Sequence, residues 1–340
     1  RWSLRWKARN WRTAASALAL LRAAGVRAGV NCVVTRHNVD RLETLARAWR
    51  DSRDEVTRST QQLMAGLGKL SIFDAKPDAL HPDTVARGAE RLLQHCDPDE
   101  GGIGNAPKFP NVPVFALLLR HHQATRRPEL LQAVTRTLTA MARGGIHDQL
   151  GGGFHRYSVD AHWLVPHFEK MLYDNVQLAP LYLDAFVVTG DPLYRDVASA
   201  TFDYLLREMT HPEGGFYSTQ DADTEGEEGK TYLWRIEEIR SLVDEETADM
   251  LCRYYQVDEA GNFAEPGQRE RKSILNVKLT RDELARLFGR ERSDVDAILE
   301  RGRRTLLDAR SRRAQPGLDD KILTSWNALA IRAFVRGAAV

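Results

Sequence analysis

The densest set of side chains able to move protons lies between His155 and Gln177, where His155, Arg156, Tyr157, Asp160, His162, His167, Lys170, Asp174 and Gln177 fall within one short stretch. Imidazole exchanges a proton near neutral pH. Beside carboxylates it forms the acid–base pair that an epimerase or isomerase needs next to a sugar carbonyl. Pro166 suits the first turn of a helix, where its missing N–H is not needed, so the spacing predicts a helix starting there. At 100° per residue His167, Lys170, Asp174 and Gln177 share an arc of about 80°, while Phe168, Leu172, Val176 and Leu183 crowd another side. The polar stripe reads as the lining of a cavity, with His155, His167 and Asp174 as acid–base groups and Arg156, Tyr157, Lys170 and Gln177 as ligand contacts. The bland alternative is a solvated face with a Lys170–Asp174 pair, worth tenths of a kcal/mol. Glu169 falls on the apolar side, where a structural or first-turn carboxylate is at least as good a reading as catalysis.

Two further clusters carry carboxylates. In Asp221 to Gly229, Asp221, Asp223, Glu225 and Gly226 match positions 1, 3, 5 and 6 of a calcium loop, but Tyr232 replaces the bidentate glutamate at the last position, which argues against calcium. The stretch reads instead as the tip of a β-hairpin joining Gly215–Gln220 to Lys230–Trp234. Asp221 and Asp223 would then reach a binding site as acid, base or hydroxyl ligands. In Asp319-Asp320-Lys321, one aspartate is explained as a helix cap. Asp320, Lys321 and Trp326 remain ligand contacts, with Trp326 either a stacking platform or a core residue. Asn105, Lys108 and Phe109 are candidates for a rim. Hydrolysis would need two carboxyl groups roughly 5–9.5 Å apart, a distance that spacing does not supply. His121, His122 and His147 lack metal spacing and read as surface or loop-packing residues. No nucleotide loop, HExxH or GxSxG motif occurs, and neither a metal nor a cofactor is expected.

These residues must be positioned by helices. Helical patterns recur in pairs at about 83–96 with 112–124, 128–143 with 167–188, 192–210 with 236–255, and 292–310 with 320–338. Between them Gly101-Gly102-Ile103, Gly144-Gly145-Ile146, Gly152-Gly153-Phe154 and Gly214-Gly215-Phe216 repeat, and read as helix C-caps whose apolar third residue tucks back into the core. Repeated helical hairpins imply a toroid or solenoid. The organisation is a basic α/β remnant at 1–41, a helix and linker at 42–81, and a helical body at 82–340.

The formal charge of +1, from 48 Lys plus Arg against 47 Asp plus Glu, hides an asymmetry. Residues 1–50 hold 11 basic and 2 acidic side chains, whereas the remainder holds 37 and 45. An acidic body argues against nucleic acid as a partner, and no run of roughly 18 apolar residues suggests a membrane span. Cys32, Cys96 and Cys252 lie far apart, as expected for buried thiols in a reducing, cytoplasmic setting. Arg1 at the start, and Val340 inside an Ala-rich helical pattern, read as the ends of a fragment, so a lost targeting signal stays open.

Five segments in order, GGIGNAPKFPNVPVFALLL from Gly101, GGIHDQLGGGFHRY from Gly144, HWLVPHFEKMLYDN from His162, GGFYSTQDADTEGEEGKTYLW from Gly214 and DDKILTSWNALAIRAF from Asp319, resemble the thioredoxin-domain-containing family of the spermatogenesis-associated thioredoxin-like protein and its bacterial relatives. The match runs from about Leu42 to Val340. The resemblance implies a six-hairpin α/α toroid like those of N-acylglucosamine epimerases and six-hairpin glycosidases, with a thioredoxin-like domain as partner. That domain's cysteine motif is missing here, and the helix count stops short of twelve. The expected protein is therefore mostly α, a partial six-hairpin α/α toroid with a short mixed α/β N-terminal remnant. Its cavity would take a carbohydrate or polyol, with His155, His167, Asp174, Asp221 and Asp223 as the central set. A proton-transfer reaction is preferred over hydrolysis, and a non-catalytic module serving a thioredoxin-like domain is the rival from another class.

Overall fold

The computed structural model describes residues 50–54, 57–58, 61–62, 81, 83–264 and 271–340. The expected remnant at 1–41 and the linker near 71–80 lie outside the described residues. The chain divides into two compact units, Arg1–Leu80 and His81–Val340. In the first, the described positions between 50 and 62 are mostly helical.

The second unit is mostly α. Its described helices are α1 (Thr84–Gln94), α2 (Val112–Thr125), α3 (Pro128–Arg143), α4 (Leu172–Thr189), α5 (Pro192–Glu208), α6 (Ile236–Leu242), α7 (Glu245–Tyr255), α8 (Arg281–Phe288), α9 (Arg292–Ser311) and α10 (Thr324–Ala338). The helix α4 is apolar nearly all round, which suits a helix enclosed by neighbours, and it packs against α2, α3, α5 and α10. The helices fall into three pairs, α1 with α2, α3 with α4 and α5 with α10, whose first members are called outer and second members inner; α1 packs on α2 and α3 on α4, and α5 meets α10 where the Phe202 and Phe334 rings lie 4.8 Å apart. The pairings expected for the last hairpins need correcting. The helix α5 returns to α10 and not to 236–255, because residues 209–323 contain a separate helical cluster, α6 to α9, with its own core of Ile239, Leu251, Leu284, Leu299 and Leu306. The stretch 236–255 is itself broken at Val243, and α8 has no counterpart in the sequence reading.

The Gly-Gly-apolar repeats also work differently from the expectation. Only Gly144 directly follows a helix, and its φ of −72° is not left-handed. What recurs is a bridge closed two to four residues beyond each outer helix: Cys96 with Ile103, His147 with Phe154, and Thr210 with Phe216. An asparagine three residues into the inner helix then clamps the apolar residue. Asn175 accepts from Phe154 N–H at 2.7 Å and donates to its carbonyl at 3.0 Å, and Asn327 does the same to Phe216 at 2.7 and 3.0 Å. Glycine is required at 152 and 153, where φ is +78° and +77° and a Cβ would lie 2.1 Å from the Ala200 carbonyl oxygen and 2.5 Å from the Tyr204 ring.

Among the described residues, seven two-residue strands stitch together the segments that enter the inner helices. They are β1 (Tyr157–Ser158), β2 (Pro166–His167), β3 (Lys170–Met171), β4 (Thr219–Gln220), β5 (Asp223–Thr224), β6 (Glu227–Glu228) and β7 (Leu318–Asp319). Antiparallel pairs join β1 to β2, β3 to β4, β4 to β7 and β5 to β6. A bridge from Lys108 to Ser158 adds the segment before α2. The approaches to the N-termini of α2, α4 and α10 are thereby linked in series.

Candidate active site

The helix expected from Pro166 begins six residues later, at Leu172, and residues 166–171 are extended. The physical reason is pairing from distant sequence: Tyr157 and Ser158 capture Pro166 and His167, while Thr219 and Gln220 capture Lys170 and Met171. The period is therefore two and not 3.6. Pro166, Phe168 and Lys170 turn inward and are buried, whereas His167 and Glu169 turn outward and are part-exposed. The anticipated stripe of His167, Lys170, Asp174 and Gln177 is split apart.

The inward side forms a buried ionic cluster. Lys170 Nζ donates to Asp148 Oδ2 at 2.8 Å and to the Gly152 carbonyl at 3.0 Å, and Arg310 grips both Asp148 oxygens at 2.7 and 2.8 Å. Burial alone would raise the Asp148 carboxyl, but Arg310 and Lys170 outweigh it and hold it well below the usual range. The Lys170 ammonium sits 4.2 Å from the Tyr204 ring centroid and 5.1 Å from that of Tyr232. His155 belongs to this interior as well. Its ring packs edge-on to Phe168 and Tyr232, its Nδ1 bonds the Phe168 carbonyl at 2.9 Å, and burial pushes its pKa down to about 3. His147, expected at the surface or in a loop, is buried against Phe154, and burial pushes its pKa down to about 4. Gln177 faces another groove, alongside Val112, Pro180 and Asp184, and bonds the Tyr173 carbonyl.

The outward side gathers the other candidates. His167 stacks on Tyr157 with ring centroids 5.0 Å apart, and Tyr157 lies 4.7 Å from Phe109, giving a part-exposed aromatic row. His167 Nδ1 lies 2.7 Å from Glu228 Oε1, which also accepts the Phe168 N–H at 3.2 Å. A carboxylate can only accept, so Nδ1 carries a proton in this contact and Nε2 is the ring nitrogen left without a hydrogen bond. The nearest acidic oxygen to Nε2, Glu169 Oε2, is 3.9 Å away, beyond hydrogen-bond range. Glu169 instead binds Arg156 Nη1 at 2.7 Å.

Beyond Arg156 stands Asp174, in the first turn of α4. Burial pushes its carboxyl up to about 7, Arg156 opposes the rise and Glu169 adds to it. Among the described residues its Oδ2 is buried without a hydrogen-bond partner. At the equivalent place in α10, one residue before the clamping Asn327, stands Trp326, which meets Tyr173 edge-on at 4.9 Å. Asp223 pairs with Glu228 within electrostatic reach of His167, and Asp221 lies next to Asp223. Burial, Asp221 and Glu228 raise the Asp223 carboxyl, and His167 lowers it.

The hairpin carrying Asp223 is tighter than expected. Asp223 pairs directly with Glu228 and Thr224 with Glu227, across Glu225 and Gly226, whose φ values of +54° and +85° make a primed turn. Gln220 pairs with Lys170 and Leu318 and not with the Lys230–Trp234 segment. Asp319 lies in β7 and binds Lys321, and Leu323 occupies the N-cap of α10, so neither Asp319 nor Asp320 caps that helix. Asp320 and Lys321 are exposed. Lys108 is buried on Asp97 and the Gly101 carbonyl, away from any rim, while Asn105 is exposed. Glu228 and Tyr173 were not among the sequence candidates, and Glu169 was weighed there on the apolar side of a helix. Period-two alternation from Pro166 to Lys170 is the signal that would have found Glu169. Nothing local points Glu228 at His167, since 61 residues separate them. No group of three or more metal-ligating side chains occurs among the described residues. Nor is any described helix long and apolar enough to cross a membrane.

No protein-family model matches the chain. Among solved structures it is similar to a sugar epimerase from a ruminal bacterium (10% identity, 76% of this chain and 79% of that one, TM-score 0.37). It is similar also to the cellobiose 2-epimerase of Spirochaeta thermophila (14%, 77% and 82%, TM-score 0.36). A heparin-specific unsaturated glucuronyl hydrolase gives 12% identity, 78% and 71% coverage and a TM-score of 0.39. In sequence, an uncharacterized Caenorhabditis elegans protein is 33% identical over 259 residues, 69% of this chain and 35% of the relative. The human and mouse proteins named spermatogenesis-associated protein 20 are each 34% identical, over 318 and 319 residues. This chain spans 40% of the length of each of those two relatives, and over 86% of its own length it is similar to spermatogenesis-associated protein 20.

Proposed function

We propose that the part-exposed cluster at the entrance to the inner helices binds a carbohydrate or polyol and transfers a proton on it, in the manner of an epimerase or isomerase. The observation that carries this reading is that one cluster holds a candidate base and a candidate acid. Glu228 engages His167 Nδ1 at 2.7 Å and leaves Nε2 to serve as the base, while burial pushes the Asp174 carboxyl up to about 7. Such a base and acid, linked through Glu169 and Arg156, suit removal of a proton beside a carbonyl and its return to the product. Phe109, Tyr157 and Trp326 offer apolar faces for a sugar ring. Asp223, and with it Asp221, supplies hydroxyl acceptors. His155 and Lys170 hold the floor of the site from the interior and take no part in the chemistry.

The test is to incubate the protein with aldoses and ketoses in deuterated water and to follow exchange at carbon by NMR. His167→Ala and Asp174→Asn should each lower the exchange rate by about a hundredfold or more. Saturable sugar binding with no exchange in the wild-type protein would overturn the catalytic reading in favour of a binding module for a cytoplasmic, thioredoxin-like partner domain. Release of a glycosidic product would favour hydrolysis, with Asp174 as the acid.

A further inference from the structure

A groove of about 500 Å³ is lined by α3, and none of Phe109, Tyr157 and His167 borders it. Three cations border it: Arg136 and Arg143 on α3, and Lys278 from the segment that follows the α7 turn. Among the described residues none of the three has a carboxylate within ion-pair distance, whereas Arg127, Arg156, Arg207 and Arg310 all have one. Arg136 and Arg143 are two helical turns apart, about 10.5 Å along the axis. The Val277 N–H donates to the Arg143 carbonyl at 2.7 Å and so fixes Lys278 beside the end of α3. Gln132, Thr135 and Thr139 add polar atoms along the same face.

Two acidic groups stand near. Glu100, at the edge of the groove, is bound to His162 Nδ1 at 2.9 Å. Glu283 feels Arg143 but is engaged by the Thr280 N–H at 2.7 Å and hydroxyl at 2.8 Å. Both carboxylates are thus partnered elsewhere, and the cations outnumber them. A cation in the last turn of a helix offsets the helix dipole, which accounts for Arg143 alone and leaves Arg136 and Lys278 unexplained. The wall is rigid. Trp163, wholly buried, takes a left-handed φ of +62° that a bulky residue adopts only under constraint. Its indole N–H donates to the Glu100 carbonyl at 3.0 Å and its carbonyl accepts from Ile146, locking the Glu100 and His162 loops against α3.

We propose that this groove is a second ligand site, for a small polyanion of the sugar-phosphate type, with Arg136 and Arg143 taking separate anionic groups and Lys278 closing over one of them. The proposal stands independently of the chemistry at His167. It is tested by calorimetric titration of the whole chain, at low ionic strength, with a hexose bisphosphate, with inorganic pyrophosphate and with the unphosphorylated hexose. Saturable binding of the bisphosphate is expected, weakened about tenfold by Lys278→Gln and about a hundredfold by the double change Arg136→Gln and Arg143→Gln. Glu100→Gln should tighten it, and added salt should weaken it. Equal affinity for pyrophosphate would identify free polyphosphate as the source of the anion, and a preference for the bisphosphate would identify the sugar phosphate. All three variants change surface side chains, and unaltered thermal melting checks their folding. Absence of saturable anion binding in the wild-type protein would overturn the proposal, as would binding that the charge-removing variants leave unchanged. Sugar exchange at the other site should survive the double variant.

Discussion

The two faces of residues 166–171 meet opposite fates. Inward, Lys170 is wholly buried with Asp148 and Arg310, every charge has a partner at 2.8 Å or less, and two tyrosine rings cover the ammonium. Outward, His167 and Glu169 lie among charges that are incompletely paired, with a free ring nitrogen and a carboxyl oxygen of Asp174 lacking a partner. Saturated pairing holds a structure together, because removing one partner strands a charge in a medium that solvates it poorly. Unfinished pairing in a part-exposed cluster leaves groups free to exchange protons with a ligand. A difference of one residue in strand register would exchange the two roles.

The largest effect is expected from breaking the inner side. Asp148→Ala should strand the buried Lys170 and Arg310 charges without their carboxylate and cost about 3–5 kcal/mol in urea unfolding, whereas His167→Ala should cost less than about 1 kcal/mol despite slowing exchange about a hundredfold. Equal destabilisation by the two substitutions would erase the distinction between the faces.

Titration of Asp174 separates the faces in a second way. Its folded pKa of about 7 lies above an unfolded value near 3.9, so the native state binds the extra proton between those limits. Its contribution to stability is therefore fully present below about pH 4 and lost as pH rises through about 7. Relative to Asp174→Asn, the wild-type protein should fall in unfolding midpoint across that window and change no further above it. Exchange that depends on the Asp174 proton should decline as pH rises through about 7. A flat difference between the two proteins from pH 4 to 8 would contradict the raised carboxyl.

The smallest effect concerns the hairpin that delivers Glu228 to His167. Gly226 has φ of +85° and open space where a Cβ would lie, so Gly226→Ala carries conformational strain without a clash and should cost about 1 kcal/mol. The same change should raise the KM for sugar exchange with little loss of kcat, and Gly226→Asn, which tolerates the left-handed region, should restore most of it. No change in either constant would mean that the hairpin does not position Glu228.

Much of the helical frame was legible. The helix 128–143 was read at its observed bounds, and 112–124 ended one residue short of the observed Thr125. Periodic apolar residues within one helix suffice for that. The pairing of α5 with α10 was not legible, because 115 residues separate them and the intervening α6 to α9 show the same helical periodicity as the toroid hairpins. At the site, His167, Asp174, Asp221, Asp223, Arg156, Tyr157 and Trp326 were named from residue type and come to one region. His155 and Lys170 were named on the same grounds and lie in the interior.

The sequence by itself determined that this is a helical-repeat protein, because the 3.6-residue apolar period and the recurring Gly-Gly-apolar loops are local signals that each hairpin carries in its own residues. It also made the stretch around His167 the candidate site, because imidazole and carboxylate side chains concentrate there. Only the tertiary structure decided which of those groups are free. Whether His167 faces outward, whether Lys170 is buried, and which carboxylate engages the imidazole all depend on two-residue strand pairings made across long sequence separations. Such pairings are too short to have a periodicity of their own, and they form only once the helices they connect have packed.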